Sequence, residues 1–141
     1  MIRALLALAA AASLACSAVP TQIILSLDTD MTQGPSATLT HLRVQVQSAD
    51  AAVVWHRATY PLRVTAGGAR WFELPGTLVL VAGDDARPSL EVRIDAVHDP
   101  GGDGATRAAM FSHVASVSFA RDHTWTLHVF LADRCAREPR C

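Results

Sequence analysis

Apolar and polar side chains alternate along much of this chain with a period of two residues. The alternation is clearest in residues 89–98, which read SLEVRIDAVH, and it recurs in residues 39–47 and 124–132. A period of two is typical of a β-strand that rests one face on a core and turns the other towards solvent. Because no stretch carries a sustained 3.6-residue apolar period with helix caps, the pattern predicts an all-β protein.

Further strands are predicted between clusters of glycine, proline and aspartate. They cover residues 22–28, 52–59, 77–82, 106–113 and 114–120, with a short extended piece at 62–65. The pair 106–113 and 114–120 is either two weak strands or one strand with a bulge. The unbroken apolar run at 77–82 predicts a strand covered on both faces. Short strands at this spacing predict an antiparallel β-sandwich of immunoglobulin-like architecture, with about seven to nine strands.

The alternation also predicts which side chains form the core. We expect the apolar positions of the three clearest strands to face inwards and the polar positions to face outwards. The predicted core-facing residues are Leu42, Val44, Val46, Leu90, Val92, Ile94, Ala96, Trp125, Leu127, Val129 and Leu131.

The start of the chain has the pattern of a bacterial signal peptide. Arg3 supplies a positive charge, and residues 4–12 form an apolar run of alanine and leucine. This run is shorter than the roughly 20 residues that span a bilayer as a helix. We therefore expect residues 1–15 to be a cleaved export signal, residues 16–20 a short tether, and residues 21–141 a single β-sandwich domain.

Residues 12–16, which read ASLAC, resemble the lipobox of bacterial lipoproteins, although the leucine stands closer to Cys16 than usual. The resemblance implies that Cys16 becomes the mature N-terminus and carries acyl chains such as palmitate. Two such chains anchor a protein stably to a membrane. Ser17 implies sorting to the outer membrane of the cell envelope. The alternative is ordinary cleavage after Ala15 or Ala18, which would give a periplasmic or secreted protein.

Two cysteines remain if Cys16 is lipidated. Cys135 and Cys141 enclose the short sequence AREPR, and export would place them in an oxidising compartment. We expect a disulfide that closes this small C-terminal loop and contributes about 2 kcal/mol. A metal site at these thiols is disfavoured, because no Cys-x-x-Cys or paired histidines accompany them.

Charge and composition narrow the classes of partner. The chain has 12 basic and 13 acidic residues and a formal net charge of −1, and half of its residues are apolar. This apolar fraction is enough to form a packed core. The near-neutral balance argues against nucleic acid as a partner, because such proteins concentrate positive charge against phosphates.

Three segments together resemble a group of uncharacterised lipoproteins of myxobacteria-like soil bacteria. They are the early strand ILSLDTD at residues 24–30, the run LPGTLVLVAG at residues 74–83, and the closing strand followed by Cys135 and Cys141. The resemblance covers most of the mature chain. It implies a lipobox-type signal before a small β-sandwich domain, and it implies neither a known activity nor functional residues.

No metal site is predicted from the sequence. The six histidines are scattered, and even His123 and His128 need not share a strand face. Among the acidic residues, Asp28, Asp30, Asp99 and Asp103 come nearest to a calcium site. Calcium needs six to eight oxygen ligands, and neither the segment with Asp28 and Asp30 nor the segment with Asp99 and Asp103 offers a full set. Aspartate beside glycine and proline is also what a turn requires.

No catalytic residues or cofactor are predicted either. The chain has no Gly-x-Ser-x-Gly elbow, no glycine-rich phosphate loop and only three glutamates. We therefore expect an envelope protein that is not an enzyme and that acts as a binding or structural module. Its partners would be the membrane, through the lipid anchor, and an unidentified envelope protein or glycan. The alternative is a carbohydrate- or small-ligand-binding sandwich, assisted by calcium, that uses Trp55, Trp71 or Trp125.

Overall fold

A computed structural model of the protein describes residues 20–34, 37–50, 53–62, 73–82 and 89–138. Within these residues seven strands form two sheets, as expected for a β-sandwich. The strands are β1 (Gln22–Thr29), β2 (His41–Ser48), β3 (Val54–Pro61), β4 (Gly76–Val81), β5 (Leu90–Val97), β6 (Phe111–Val117) and β7 (Thr124–Leu131), and a 3-10 helix (Asp133–Ala136) follows β7.

The smaller sheet has the strand order β4-β1-β7. β4 pairs with β1 in antiparallel fashion, with Leu25 opposite Leu78. β7 pairs with β1 in parallel fashion, with Leu25 opposite Leu127. A parallel pair needs a long crossover between its strands, and β1 and β7 are separated by the rest of the domain. This one pair departs from the antiparallel arrangement predicted from the sequence.

The larger sheet has the strand order β3-β2-β5-β6, and all its pairs are antiparallel. The central pair aligns Val44 with Ile94. The register between β2 and β3 shifts between Val46 and Gln47, which lie opposite His56 and Val54. Trp55 is therefore the extra residue of a β-bulge near the start of β3.

One hydrophobic core joins the two sheets, and it confirms the predicted core faces of β2 and β5. The buried residues include Ile23, Leu25 and Leu27 of the smaller sheet and Leu42, Val44, Val46, Leu90, Val92, Ile94 and Ala96 of the larger sheet. Full burial of such a side chain stabilises the fold by roughly 1.5–3 kcal/mol. The strand period thus determines which residues hold the sandwich together.

Two details of the predicted strands were wrong. The run at 77–82 is not covered on both faces, because β4 is an edge strand on which Val79 and Val81 are exposed. Within residues 106–120 there is a single strand, β6, and it covers only Phe111–Val117. The residues before it belong to the loop that follows β5. Leu62 forms an isolated bridge, and the rest of the extended piece predicted at 62–65 lies outside the described residues.

The sandwich has two ends, and one of them is where the chain enters from the N-terminus. There the Thr124 hydroxyl donates to the Pro20 carbonyl over 3.3 Å. The neighbouring backbone N–H of Gln22 donates to the carbonyl of His123 over 3.1 Å. We call this the Pro20 end. It also holds the last residues of β4 and β6 and the first residues of β3, β5 and β7.

Candidate functional site

The predicted lipidation residue, Cys16, and the signal peptide lie outside the described residues, and so does Cys141. Cys135 is buried in the 3-10 helix after β7 and is disulfide-bonded. Its pairing with Cys141 stays a prediction. Within the described part of the chain, no helix is long and apolar enough to cross a bilayer.

The four aspartates nearest to a calcium site are engaged in local structure. Each of their carboxylates accepts a backbone N–H. The donors are Thr29 for Asp28 at 2.8 Å, Asp133 for Asp30 at 2.6 Å, Gly104 for Asp99 at 3.0 Å and Ala105 for Asp103 at 2.8 Å. Among the described residues, no three His, Cys, Asp or Glu side chains are grouped so as to hold a metal ion. Asp28, Asp99 and Asp103 therefore shape local turns, and Asp30 links the end of β1 to the 3-10 helix after β7.

One histidine departs from the expectation of scattered surface histidines. His41 is buried at the start of β2, where its Nδ1 lies 2.9 Å from the Thr40 hydroxyl. The loop after β5 covers it, because a Cβ at Gly104 would come within 2.6 Å of the imidazole ring. Burial lowers the pKa of His41 below 6.5 and outweighs the opposing attraction of Asp99 and Asp103.

His113 also lies on an inward face that sequence spacing did not single out. It is paired with the core residue Ile94 and makes an edge-on contact with the ring of Phe111. Its Nε2 is buried and, within the described residues, has no hydrogen-bond partner. The remaining four histidines, His56, His98, His123 and His128, are exposed.

The outer face of the larger sheet carries a polar network centred on Asp95. This carboxylate is 5% exposed and accepts hydrogen bonds from Arg43 at 2.8 Å, Arg93 at 2.8 Å and Ser112 at 2.6 Å. Burial alone would raise the pKa of Asp95, but these hydrogen bonds and the Arg93 charge lower it below 3.8. Because its oxygens are saturated by neighbours, Asp95 is suited to holding the sheet together.

Arg43 connects this network to the loop after β5. Its guanidinium donates to the carbonyls of Ala105 at 2.9 Å and Arg107 at 3.2 Å. The loop is thereby fixed over the outer face of β2 and closes above His41. The charged residues of this face thus join the strands to each other and to the loop.

A wide groove of about 1080 Å³ lies at the end of the sandwich opposite Pro20. Its walls come from residues 37–38 before β2, the loop after β5 and the 3-10 helix, and they include small side chains such as Ala37, Thr38 and Ala108. Asp133 and Arg137 form an ion pair with each other at its rim. His98 Nδ1 lies 3.1 Å from the Ala37 carbonyl. Thr106 and Arg107 add further polar groups to its lining.

Two of the three tryptophans are exposed, and Trp71 lies outside the described residues. Trp125 occupies the first core-facing position of β7, opposite Ile23, and is nevertheless 54% exposed. Its indole stacks on the ring of His123 at a centroid distance of 6.3 Å and an interplanar angle of 17°. Trp55 is 36% exposed on its bulge. The period of β7 correctly gave the face of Trp125, but its place at the mouth of the sandwich leaves the ring open to solvent.

Exposed apolar side chains are concentrated at the Pro20 end. Within the described residues eight large apolar side chains are exposed, and those at this end are Val53, Val54, Trp55, Val81 and Trp125. A small cavity of about 200 Å³ lies beside Trp125 and is lined by Ile23, Val117 and Leu127. We call Val53, Val54, Trp55, Val81 and Trp125 the apolar end surface. Five of the eight exposed large apolar side chains of the described residues thus lie at this end.

No protein-family model matches this chain, and no curated protein matches it significantly. The function must therefore be argued from the residues and their geometry.

Proposed function

We propose that the protein is an exported module of the cell envelope, anchored through acyl chains on Cys16 and located at the outer membrane. The observation that carries this proposal is the disulfide at Cys135, because disulfides form and persist in oxidising compartments. The signal-like residues 1–15 and the lipobox-like residues 12–16 support export and anchoring. A periplasmic or secreted location is the alternative if the chain is cut at Ala15 or Ala18.

The module acts by binding or by structural support, without catalysis. The charged groups that the sandwich holds most closely, Asp95 and its arginine partners, are saturated by each other. A catalytic carboxylate would need access to a substrate. The apolar end surface, by contrast, is open to a partner.

Intact mass spectrometry of the protein isolated from its native membranes tests this proposal. We expect a chain that starts at Cys16 and carries acyl groups, with two alkylations only after reduction. A soluble, unacylated chain that starts at Cys16 or Val19 would overturn the anchor and transfer the search for partners to the periplasm or medium.

A carbohydrate-binding function is the second candidate, and the exposure of Trp125 favours it. Sugar rings present C–H faces that pack on an open indole, and the cavity beside Trp125 could take part of a ring. Titration with cell-wall oligosaccharides should then shift the tryptophan emission of the native chain but not that of Trp125→Ala. Repeating the titration after chelation of calcium tests whether calcium assists the binding. Phe130→Ala, at a similarly exposed residue of the same strand, is the matched control.

A further inference from the structure

The apolar end surface lies where the chain leads back towards Cys16. The Pro20 carbonyl accepts a hydrogen bond from the Thr124 hydroxyl at this end. The Thr21 carbonyl accepts the backbone N–H of Ala82 over 3.0 Å, and the Thr21 hydroxyl accepts the backbone N–H of Asp122 over 2.9 Å. These bonds fix the start of the domain. Four residue steps separate Cys16 from Pro20, and a fully extended chain spans at most about 14 Å over that length.

A thiol-linked lipid at Cys16 therefore confines the domain to the membrane surface. A tether of about 14 Å is shorter than the sandwich itself, since an eight-residue strand spans about 26 Å. The end of the domain that holds Pro20 must face the bilayer. The opposite end, with its groove, must face away from it.

The side chains at this end suit such a position. Val81 is 66% exposed at the last position of β4, and Trp125 is 54% exposed near the start of β7, so both place apolar area at the rim of this end. Tryptophan is enriched at membrane–water interfaces, where its ring is in the apolar region and its N–H meets the headgroups. Burial of the exposed valines and indole rings in this region would stabilise the contact, because it removes apolar area from water.

The described charges at this end favour an apolar contact over an electrostatic one. Arg121 is accompanied by Asp122 and Asp50, so there is no excess of positive charge. Binding to anionic lipids depends on clusters of lysine and arginine near the surface. A neutral, zwitterionic lipid surface is therefore the occupant that fits.

We propose that the apolar end surface rests on the lipid surface, with Trp125 and Val81 in the interfacial layer. This inference rests on the proposed anchor at Cys16. It assigns Trp125 to lipid contact, and it orients the sandwich so that the groove at the far end faces away from the membrane.

Quenching by brominated lipids tests the contact in the full processed chain. Trp55→Phe and Trp71→Phe leave Trp125 as the sole tryptophan, and the protein is reconstituted in phosphatidylcholine vesicles with or without bromine on the acyl chains. We expect the brominated lipid to reduce the emission of Trp125, and we expect added salt to leave this loss unchanged. Circular dichroism and a cooperative thermal transition verify that the variant folds.

A matched control uses the other end of the same strand. In the control chain, Trp125→Phe removes the tryptophan at position 125 and Phe130→Trp places one at position 130. Phe130 is suitable because it is exposed and lies about 17 Å further along β7. We expect no quenching there. As a second measurement, Val81→Asp should reduce the quenching of Trp125, whereas Val114→Asp, at an exposed residue in the middle of β6, should not.

The outcomes separate the inference from the anchor. Acylated Cys16 in the mass spectrum together with unquenched Trp125, or with equal quenching at both positions, overturns the lipid contact and leaves the anchor in place. A mass without acyl chains overturns both. A shift of Trp125 emission by soluble cell-wall oligosaccharides without lipid quenching also overturns the contact, and it assigns Trp125 to the carbohydrate candidate.

Discussion

At the scale of single residues, the most informative side chains are two buried charged or titratable ones, Asp95 and His41. Asp95 and His41 both stand at outward-facing positions of their strands, where the alternation predicts exposure. The loop after β5 covers His41 and is fixed there by Arg43, whereas Asp95 is enclosed by Arg43, Arg93 and Ser112. Their ionisation is therefore coupled to folding.

Asp95→Asn should destabilise the sandwich by about 2 kcal/mol, because the substitution removes charged hydrogen bonds and leaves the guanidinium of Arg43 without its carboxylate. Urea denaturation measures the change. Glu91→Gln is the control on the same face, since Glu91 is less buried and accepts a hydrogen bond from Gln47. Equal losses in the two variants would contradict the central place of Asp95.

The free energy of unfolding should fall in two pH windows. The pKa of His41 is lower in the folded state than in the unfolded chain, so the unfolded state binds the extra proton first and stability decreases as pH falls below 6.5. The pKa of Asp95 is lowered as well, so a second loss begins as pH falls below 3.8.

Denaturation at a series of pH values, on the native chain and His41→Asn, measures the first window. Below pH 6.5 the free energy of unfolding of the variant should change less with pH than that of the native chain. His128→Asn, at an exposed position of β7, removes a histidine elsewhere and should keep the native slope. An identical slope in all three chains would mean that His41 does not couple to folding.

At the scale of elements, the edge position of β4 is the clearest difference between pattern and structure. A run of valine and leucine suits a strand in any position, because β-branched side chains pack well on a pleated surface. In β4 the leucines Leu78 and Leu80 pack against the core, whereas Val79 and Val81 are exposed. Only the neighbouring strands decide which faces are covered.

Leu78→Ala should therefore cost about 2 kcal/mol, because the leucine packs against the core. Val79→Ala, the adjacent outward residue, should cost less than about 0.5 kcal/mol, as is usual for surface substitutions. Thermal and urea unfolding of both variants give the comparison. A comparable loss at Val79 would mean that a second layer covers the outer face of β4.

At the scale of the whole molecule, Cys135 and Pro20 lie at different ends of the domain. Cys135 follows β7 at the end opposite Pro20. The apolar end surface gathers residues that are far apart in the sequence, from Val53 to Trp125. Under the proposed anchor at Cys16, the end of the domain near the membrane is thus not the end that holds Cys135.

Cys141→Ser should lower the stability of the oxidised domain by about 2 kcal/mol if Cys141 is the partner of Cys135, because a short covalent loop would be opened. Cys16→Ser should leave the unfolding transition unchanged, since Cys16 would carry lipid. Denaturation with and without reductant, together with thiol alkylation, distinguishes the two. The reverse result would assign the disulfide to Cys16 and remove the proposed anchor.

The amino-acid sequence by itself determined the strands, their inward faces and the sandwich, because a period of two is a local property of the backbone that labels each face. Residues such as Leu90, Val92 and Ile94 are buried where this period predicts. The tertiary structure alone decided the parallel pairing of β1 with β7, the edge position of β4 and the burial of His41 and Asp95. It also decided the gathering of exposed apolar side chains beside Pro20. These features depend on contacts between residues that are distant in the chain, and no local pattern records which distant segment will cover a given face.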